Sequence, residues 1–145
     1  MKSIYEFITE SMSVNDATNQ IKAALDNSDN LGIISSKQDF PHIANTVQGI
    51  ANEHISSVSD NNVDAKEFEN ELENTVKNIP GNSKKKVVII NLVNADKRIM
   101  NTIMPVVTDK SIKGKKYSNV CFVYVFGKDN EIPAAIEDKL NPITL

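Results

Sequence analysis

The sequence predicts an α/β three-layer sandwich built on a mainly parallel sheet, and three observations carry that expectation. Lys86–Val93 (KVVIINLV) and Val120–Phe126 (VCFVYVF) are apolar on consecutive residues and rich in β-branched side chains. Strands covered by helices on both faces read this way, whereas a strand with one wet face alternates. Such runs also alternate along the chain with segments whose apolar residues recur every three or four positions, the order of β-α-β units. Finally, a length of 145 residues fits one domain with one contiguous interior.

The elements follow in order. Met1–Met12 places Ile4, Phe7 and Ile8 on one helical face and reads as a short amphipathic arm. Ser13 is placed as an N-cap, with Asp16 in the capping-box position. Val14, Ala17, Ile21, Ala24 and Leu25 then define an amphipathic helix to Asp26, ended by the turn-formers Asn27–Asn30. Leu31–Ser35 has strand length. Asp39 and Pro41 supply a cap and a first-turn proline for a second helix through Ile43, Val47, Ile50 and Ala51. A weaker strand is expected around Ile55–Val58. Asp64, with Glu67 three residues on, caps a third helix along Phe68, Leu72 and Val76, which Pro80 and Gly81 stop.

Lys86–Val93 is the clearest strand. Ala95–Thr108 returns to helical spacing through Ile99, Ile103 and Val107, and Pro105 is expected to kink or end it. A lysine-rich loop, Asp109–Ser118, leads into Val120–Phe126. Pro133 opens a last helix to Leu140, and Ile143–Leu145 forms a terminal strand. The two long strands should be interior parallel neighbours with Leu31–Ser35 beside the second, burying Ile89, Phe122 and Val125. The division is an arm, residues 1–12, and a single α/β domain, residues 13–145.

Composition excludes several classes. A net charge of -3 gives no general attraction for nucleic acid or an acidic membrane. The longest apolar run, Val120–Phe126, falls far short of the ~20 residues that cross a bilayer. The first fifteen residues hold Glu6, Glu10 and no apolar stretch of the kind a secretory signal needs. The single cysteine, Cys121, lies inside an apolar run and reads as a buried thiol in a cytoplasmic protein.

Sites of chemistry are hard to find. A phosphate loop needs glycines so that backbone N–H groups wrap the phosphates, a lysine for their charge, and a hydroxyl for magnesium. The first strand instead runs into Ser35-Ser36-Lys37-Gln38-Asp39-Phe40-Pro41-His42, which lacks glycine, loses a donor at Pro41 and adds a negative charge at Asp39. Lys37 alone suits an anion, and the plain alternative is a solvated turn. A metal or general-base site would need acids at the end of the central strand, where Asn91 and Leu92 stand. Asp96 is read as a helix cap. His42 and His54 are about three helical turns apart and share no metal. Glu67, Glu69, Glu71 and Glu73 make the third helix acidic. Lys84, Lys85, Lys86, Lys110, Lys113, Lys115 and Lys116 follow it, and would serve an acidic partner or nucleic acid if they converge.

From Val87 to Leu140 the chain resembles the second half of an AAA+ ATPase core, in particular its MoxR-type branch. Ala95, Asn101, Ile103, Met104, Val106, Val107, Ile112, Gly114, Ile132, Pro133, Ala135 and Asp138 fall in that pattern. The resemblance implies a P-loop NTPase/AAA+-like topology, with Leu31–Ser35 at the place of the nucleotide-loop strand. It also marks departures. Asn91 and Leu92 stand at the magnesium- and water-activating acids, Ser35–Phe40 at the phosphate loop, Lys128 at the sensor asparagine, and Glu137-Asp138-Lys139 at the arginine-finger region. The sequence stops at Leu145, before the family's helical lid. The expectation is a non-catalytic AAA+-like interaction module with no cofactor, no metal, and no catalytic or cofactor-binding residue. Its partner would be a protein, without nucleic acid or membrane, and its oligomeric state is left open. MKSIYEFITES is in addition similar to the head-targeting peptides of tailed-phage internal proteins, with Ile8-Thr9-Glu10 before Ser11 resembling a prohead-protease site. That likeness implies an alternative role as a virion protein.

Overall fold

In the computed structural model the described residues are 14–35, 39–52, 55–59, 64–81 and 85–145. The expected arm, the Ser13 cap of the first helix, Ser36–Gln38, His54 and Lys84 lie outside them. Five helices and seven strands follow in the order α1 (Val14–Asn27), β1 (Leu31–Ser35), α2 (Phe40–Ala51), β2 (Ser56–Ser59), α3 (Ala65–Lys77), β3 (Lys86–Asn91), α4 (Lys97–Asp109), β4 (Ser111–Ile112), β5 (Lys115–Lys116), β6 (Val120–Gly127), α5 (Ala134–Leu140) and β7 (Ile143–Thr144).

The main sheet has the order β2-β3-β6-β1-β7, and every pairing in it is parallel. The two long apolar runs are central neighbours, with Ile89 opposite Val123, and β1 lies on the far side of β6, with Ile33 opposite Val125. Alternation along these strands divides the interior in two. Val88, Ile90, Phe122, Tyr124 and Phe126 pack under α3, α4 and α5. Val87, Ile89, Cys121, Val123 and Val125 pack under α1 and α2. Both faces are therefore dry, which is why the strands carry no polar alternation.

Local chemistry sets the ends of the helices. Asp39 and Asp64 stand in extended backbone ahead of α2 and α3 and accept from the N–H groups of His42 and Glu67 at 3.0 and 2.8 Å. Gly32 is buried because the end of α5 crosses β1 closely: a Cβ there would lie 3.1 Å from Leu140 Cβ and Pro142 Cγ.

Four expectations need correction. Pro105 neither ends nor breaks α4, which runs on to Asp109. Pro105 and Asn101 both lie on the exposed face, so the carbonyl that loses its donor faces water and the ring stays out of the core. The Lys86–Val93 strand ends at Asn91, and the fourth helix starts at Lys97 rather than Ala95. The lysine-rich loop contains an antiparallel hairpin, β4 paired with β5, whose two turn residues Lys113 and Gly114 both have positive φ, 52° and 81°. That is the backbone a tight primed hairpin turn requires, and Gly114 adopts it without a Cβ penalty. Ile112 anchors the hairpin in the core.

Candidate functional site

In an open parallel sheet the ligand crevice lies beyond the carboxyl ends of the strands, where successive connections leave to opposite faces. Here that place is β1 and β6. The chain leaves β1 into α2, on the face of Ile43 and Val47, and leaves β6 into α5, on the face of Ile136 and Leu140. Ser35 and Gly127 are paired at the crevice.

Each wall is closed by the protein's own polar groups. Only Ser36–Asp39 separate β1 from α2, a short span beside a loop that must wrap phosphates. The Asp39 carboxylate takes the His42 N–H at the head of α2, the end of a helix that otherwise favours an anion, and Pro41 removes another donor. His42 itself is exposed. At the end of β3 the Asn91 side-chain oxygen accepts from Val93 N–H at 3.1 Å. Leu92 is fully buried and its N–H continues the ladder to the Val125 carbonyl at 2.8 Å. At the end of β6 the Gly127 N–H donates to the Asn130 side chain, while Lys128 is exposed.

Between the tips of β3 and β6 lies a cleft of about 550 Å³ lined by Ala95–Lys97 and Asp129–Pro133. Asp96 is a helix cap as expected. It accepts from Arg98 and Ile99 N–H at 3.0 and 3.1 Å, and the Ile99 hydrogen bond foremost, then Arg98, holds its carboxyl below the usual range. Asp129 and Glu131 are exposed. No group of carboxylates, histidines and thiols among the described residues is arranged to hold a metal. The cleft carries the exposed carboxylates Asp129 and Glu131 and one exposed lysine, Lys97, beside half-buried Ala95, Ile132 and Pro133.

The opposite edge of the sheet gathers the lysines. β3 and β6 start together, Lys86 opposite Val120, so Lys85 and Lys86 share an edge with the lysine hairpin. Several are already engaged. Lys85 meets Asp26 at 2.6 Å, Lys116 meets Asp109 at 3.6 Å, and Lys113 meets Glu73 at 3.5 Å and the Asn70 side chain. Lys110 donates to the carbonyls of Ser28 and Ser118, and burial lowers its pKa. The cleft here, about 450 Å³, includes Asn30, whose amide donates to the Val106 and Val107 carbonyls at 3.1 and 2.9 Å. Cys121 is a packing residue: its thiol donates to the Asp29 carbonyl at 3.0 Å, and burial pushes its pKa up to about 12.

Sequence reasoning missed Asn30 and Asn130. Both are asparagines in turns, and with eighteen asparagines in the chain their residue type singles out neither.

No family model matches the chain, and no curated protein matches it by sequence. Solved structures do match. RuvB of Thermotoga maritima, described as a Holliday junction branch migration motor, superposes with a TM-score of 0.61 at 11% identity, covering 100% of this chain and 48% of that one. A DNA polymerase III gamma subunit-related protein of the same organism gives 0.62 at 8% identity, covering 88% and 45%. Rif2 of Saccharomyces cerevisiae gives 0.55 at 13% identity, covering 99% and 62%. The chain thus spans about half the length of the first two. At these identities the likeness establishes the fold, which is AAA+-like. No helix among the described residues is long and apolar enough to cross a membrane.

Proposed function

We propose that this AAA+-like chain acts without nucleotide hydrolysis, as a protein-interaction module. The observation that carries the reading is the Asp39 carboxylate at the head of α2, where the triphosphate of a nucleotide-using relative would need donors and positive charge. The end of β3 adds support. Asn91 brings a neutral amide engaged with Val93, and Leu92 lies wholly in the core, so neither supplies the charge that holds magnesium or activates water. Without both parts the charge developing in phosphoryl transfer is uncompensated. What remains is a stable sheet presenting two edges of differing charge, which suits contact with a protein rather than with a membrane or nucleic acid.

Phosphate release tests this. The wild-type chain should free no phosphate from ATP–magnesium above the buffer rate. Asn91→Asp with Leu92→Glu should free none either, because the β1–α2 connection is unchanged. Turnover by either chain would refute the reading.

A second reading, a virion protein of a tailed phage, rests on MKSIYEFITES alone. Mass spectrometry of purified virions would support it by finding this chain beginning at Ser11, and would reject it by finding no peptide of the chain.

A further inference from the structure

All five strands of the main sheet are parallel, so connections entering strands lie at one end of the molecule and those leaving them at the other. Charge divides along that axis. The described connections at the carboxyl end carry Asp39, Asp64, Asp96, Asp129 and Glu131 against Lys128, and those at the amino end carry Lys85, Lys110, Lys113, Lys115 and Lys116 against Asp29. Asp39, Asp64 and Asp96 are engaged as helix caps, which leaves Asp129 and Glu131. Neither makes an ion pair among the described residues.

We propose that the protein's partner is a second copy of itself, the lysine hairpin Lys113–Lys116 of one molecule docking head to tail into the Asp129–Glu131 cleft of the next. This deepens the interaction reading above and rests on it.

The hairpin is the docking element. Its tight turn fixes the backbone, Ile112 roots it in the core, and Lys115 is exposed with its ammonium 5.4 Å from the Tyr117 ring. Lys116 pairs with Asp109 at 3.6 Å between two exposed side chains, a contact that exchanges at little cost. Lys113 is instead held by half-buried Glu73 and by Asn70, so Lys115 and Lys116 carry the docking. The cleft carries Asp129 and Glu131 against one lysine, Lys97, with Asp96 held as a helix cap. Its volume of about 550 Å³ lies within the ~300–1,000 Å³ usual for sites that enclose a ligand. Half-buried Ala95, Ile132 and Pro133 offer apolar surface to the aliphatic stems of lysines, and Asp129 and Glu131 meet the ammonium ends.

The same features argue against a polyanion as occupant. The hairpin holds no arginine for bidentate phosphate contact, and the Tyr117 hydroxyl is buried, so no free ring stacks on a base. The chain's net charge of -3 also repels nucleic acid at a distance. Because the two surfaces sit at opposite ends, one molecule cannot satisfy itself, and the contact is heterologous and able to propagate.

Sedimentation velocity tests the proposal. At ~0.02 M salt the wild-type mass should rise with concentration above 16.0 kDa, and it should fall back to the monomer at ~0.5 M, where charges are screened within a few ångströms. Asp129→Lys/Glu131→Lys keeps the hairpin, and Lys115→Glu/Lys116→Glu keeps the cleft. Each alone should associate at least ~10-fold more weakly than wild type. Their equimolar mixture should recover association, because each lysine surface then meets an acidic one, which also demonstrates that both variants are folded. A wild-type chain that stays monomeric up to ~1 mM overturns the proposal, as do variants that still self-associate or a mixture that fails to pair. Duplex DNA binding by wild type that is lost in Lys115→Glu/Lys116→Glu overturns it too, making nucleic acid the occupant. A monomeric wild type that also ignores ATP ends this inference and leaves the non-catalytic reading standing, whereas ATP turnover ends that reading whatever the association.

Discussion

Ile89 and Cys121 both lie on the α1–α2 face of the sheet, and each fixes a measurable property of the protein. Ile89 is fully buried in the interior strand β3, where neighbours on β2 and β6 prevent collapse around a deletion. Ile89→Ala should cost about 2–5 kcal/mol, read as a lowered urea midpoint at unchanged slope. The Cys121 proton is held to about pH 12 in the folded chain, whereas the unfolded thiol ionises near 9.0. Below pH 9 the group leaves stability independent of pH. Between 9 and 12 the unfolded chain binds fewer protons than the folded one, so stability falls as pH rises, by at most ~1.4 kcal/mol per unit from this group. Tyr124, raised well above 10.0 by complete burial, adds to the fall at higher pH. Urea midpoints compared at about pH 8 and about pH 10.5 should converge less in wild type than in Cys121→Ala, which loses the thiol's share. Both residues were legible in the sequence, because an apolar run with β-branched neighbours leaves a side chain nowhere to go but inward.

Elements differ in how far their causes reach along the chain. β3 and β6 are local statements, since each residue is apolar whichever face it takes. The caps of α2, α3 and α4 are equally local, a single aspartate bonding N–H groups two or three residues on. The β4–β5 hairpin left no such trace: its strands are two residues each, and a lysine rather than asparagine takes the first positive-φ position. The end of α4 is less legible still, because Asn30 caps it from 76 and 77 positions away. Its amide satisfies the Val107 carbonyl that the helix end leaves without a backbone donor, and adds a second bond to the Val106 carbonyl, which also takes the Lys110 N–H. Asn30→Ala should destabilise the fold by about 1–3 kcal/mol. Asn30→Asp should cost more, since a carboxylate donates nothing and repels the same carbonyls. Parallel denaturant melts of the three chains give the order directly.

Across the whole molecule, the strand order β2-β3-β6-β1-β7 is the AAA+-like arrangement, reached at 8–13% identity to the solved structures it matches. The carboxyl edge is closed by Asp39, Asn91 and Asn130, and of these the sequence reading weighed the first two. The role of Asn130 depends on β6 ending at Gly127, which no local pattern announces. The convergence of Lys85 and Lys86 with the hairpin likewise follows from the pairing of β3 with β6 and not from spacing. The central proposal is that the crevice at β1 and β6 does not bind nucleotide. Calorimetric titration of the intact chain with ATP and magnesium tests it most directly. The account predicts no saturable heat up to ~1 mM nucleotide. Saturable binding at micromolar ATP, lost on replacing Lys37 or Lys128, would contradict it.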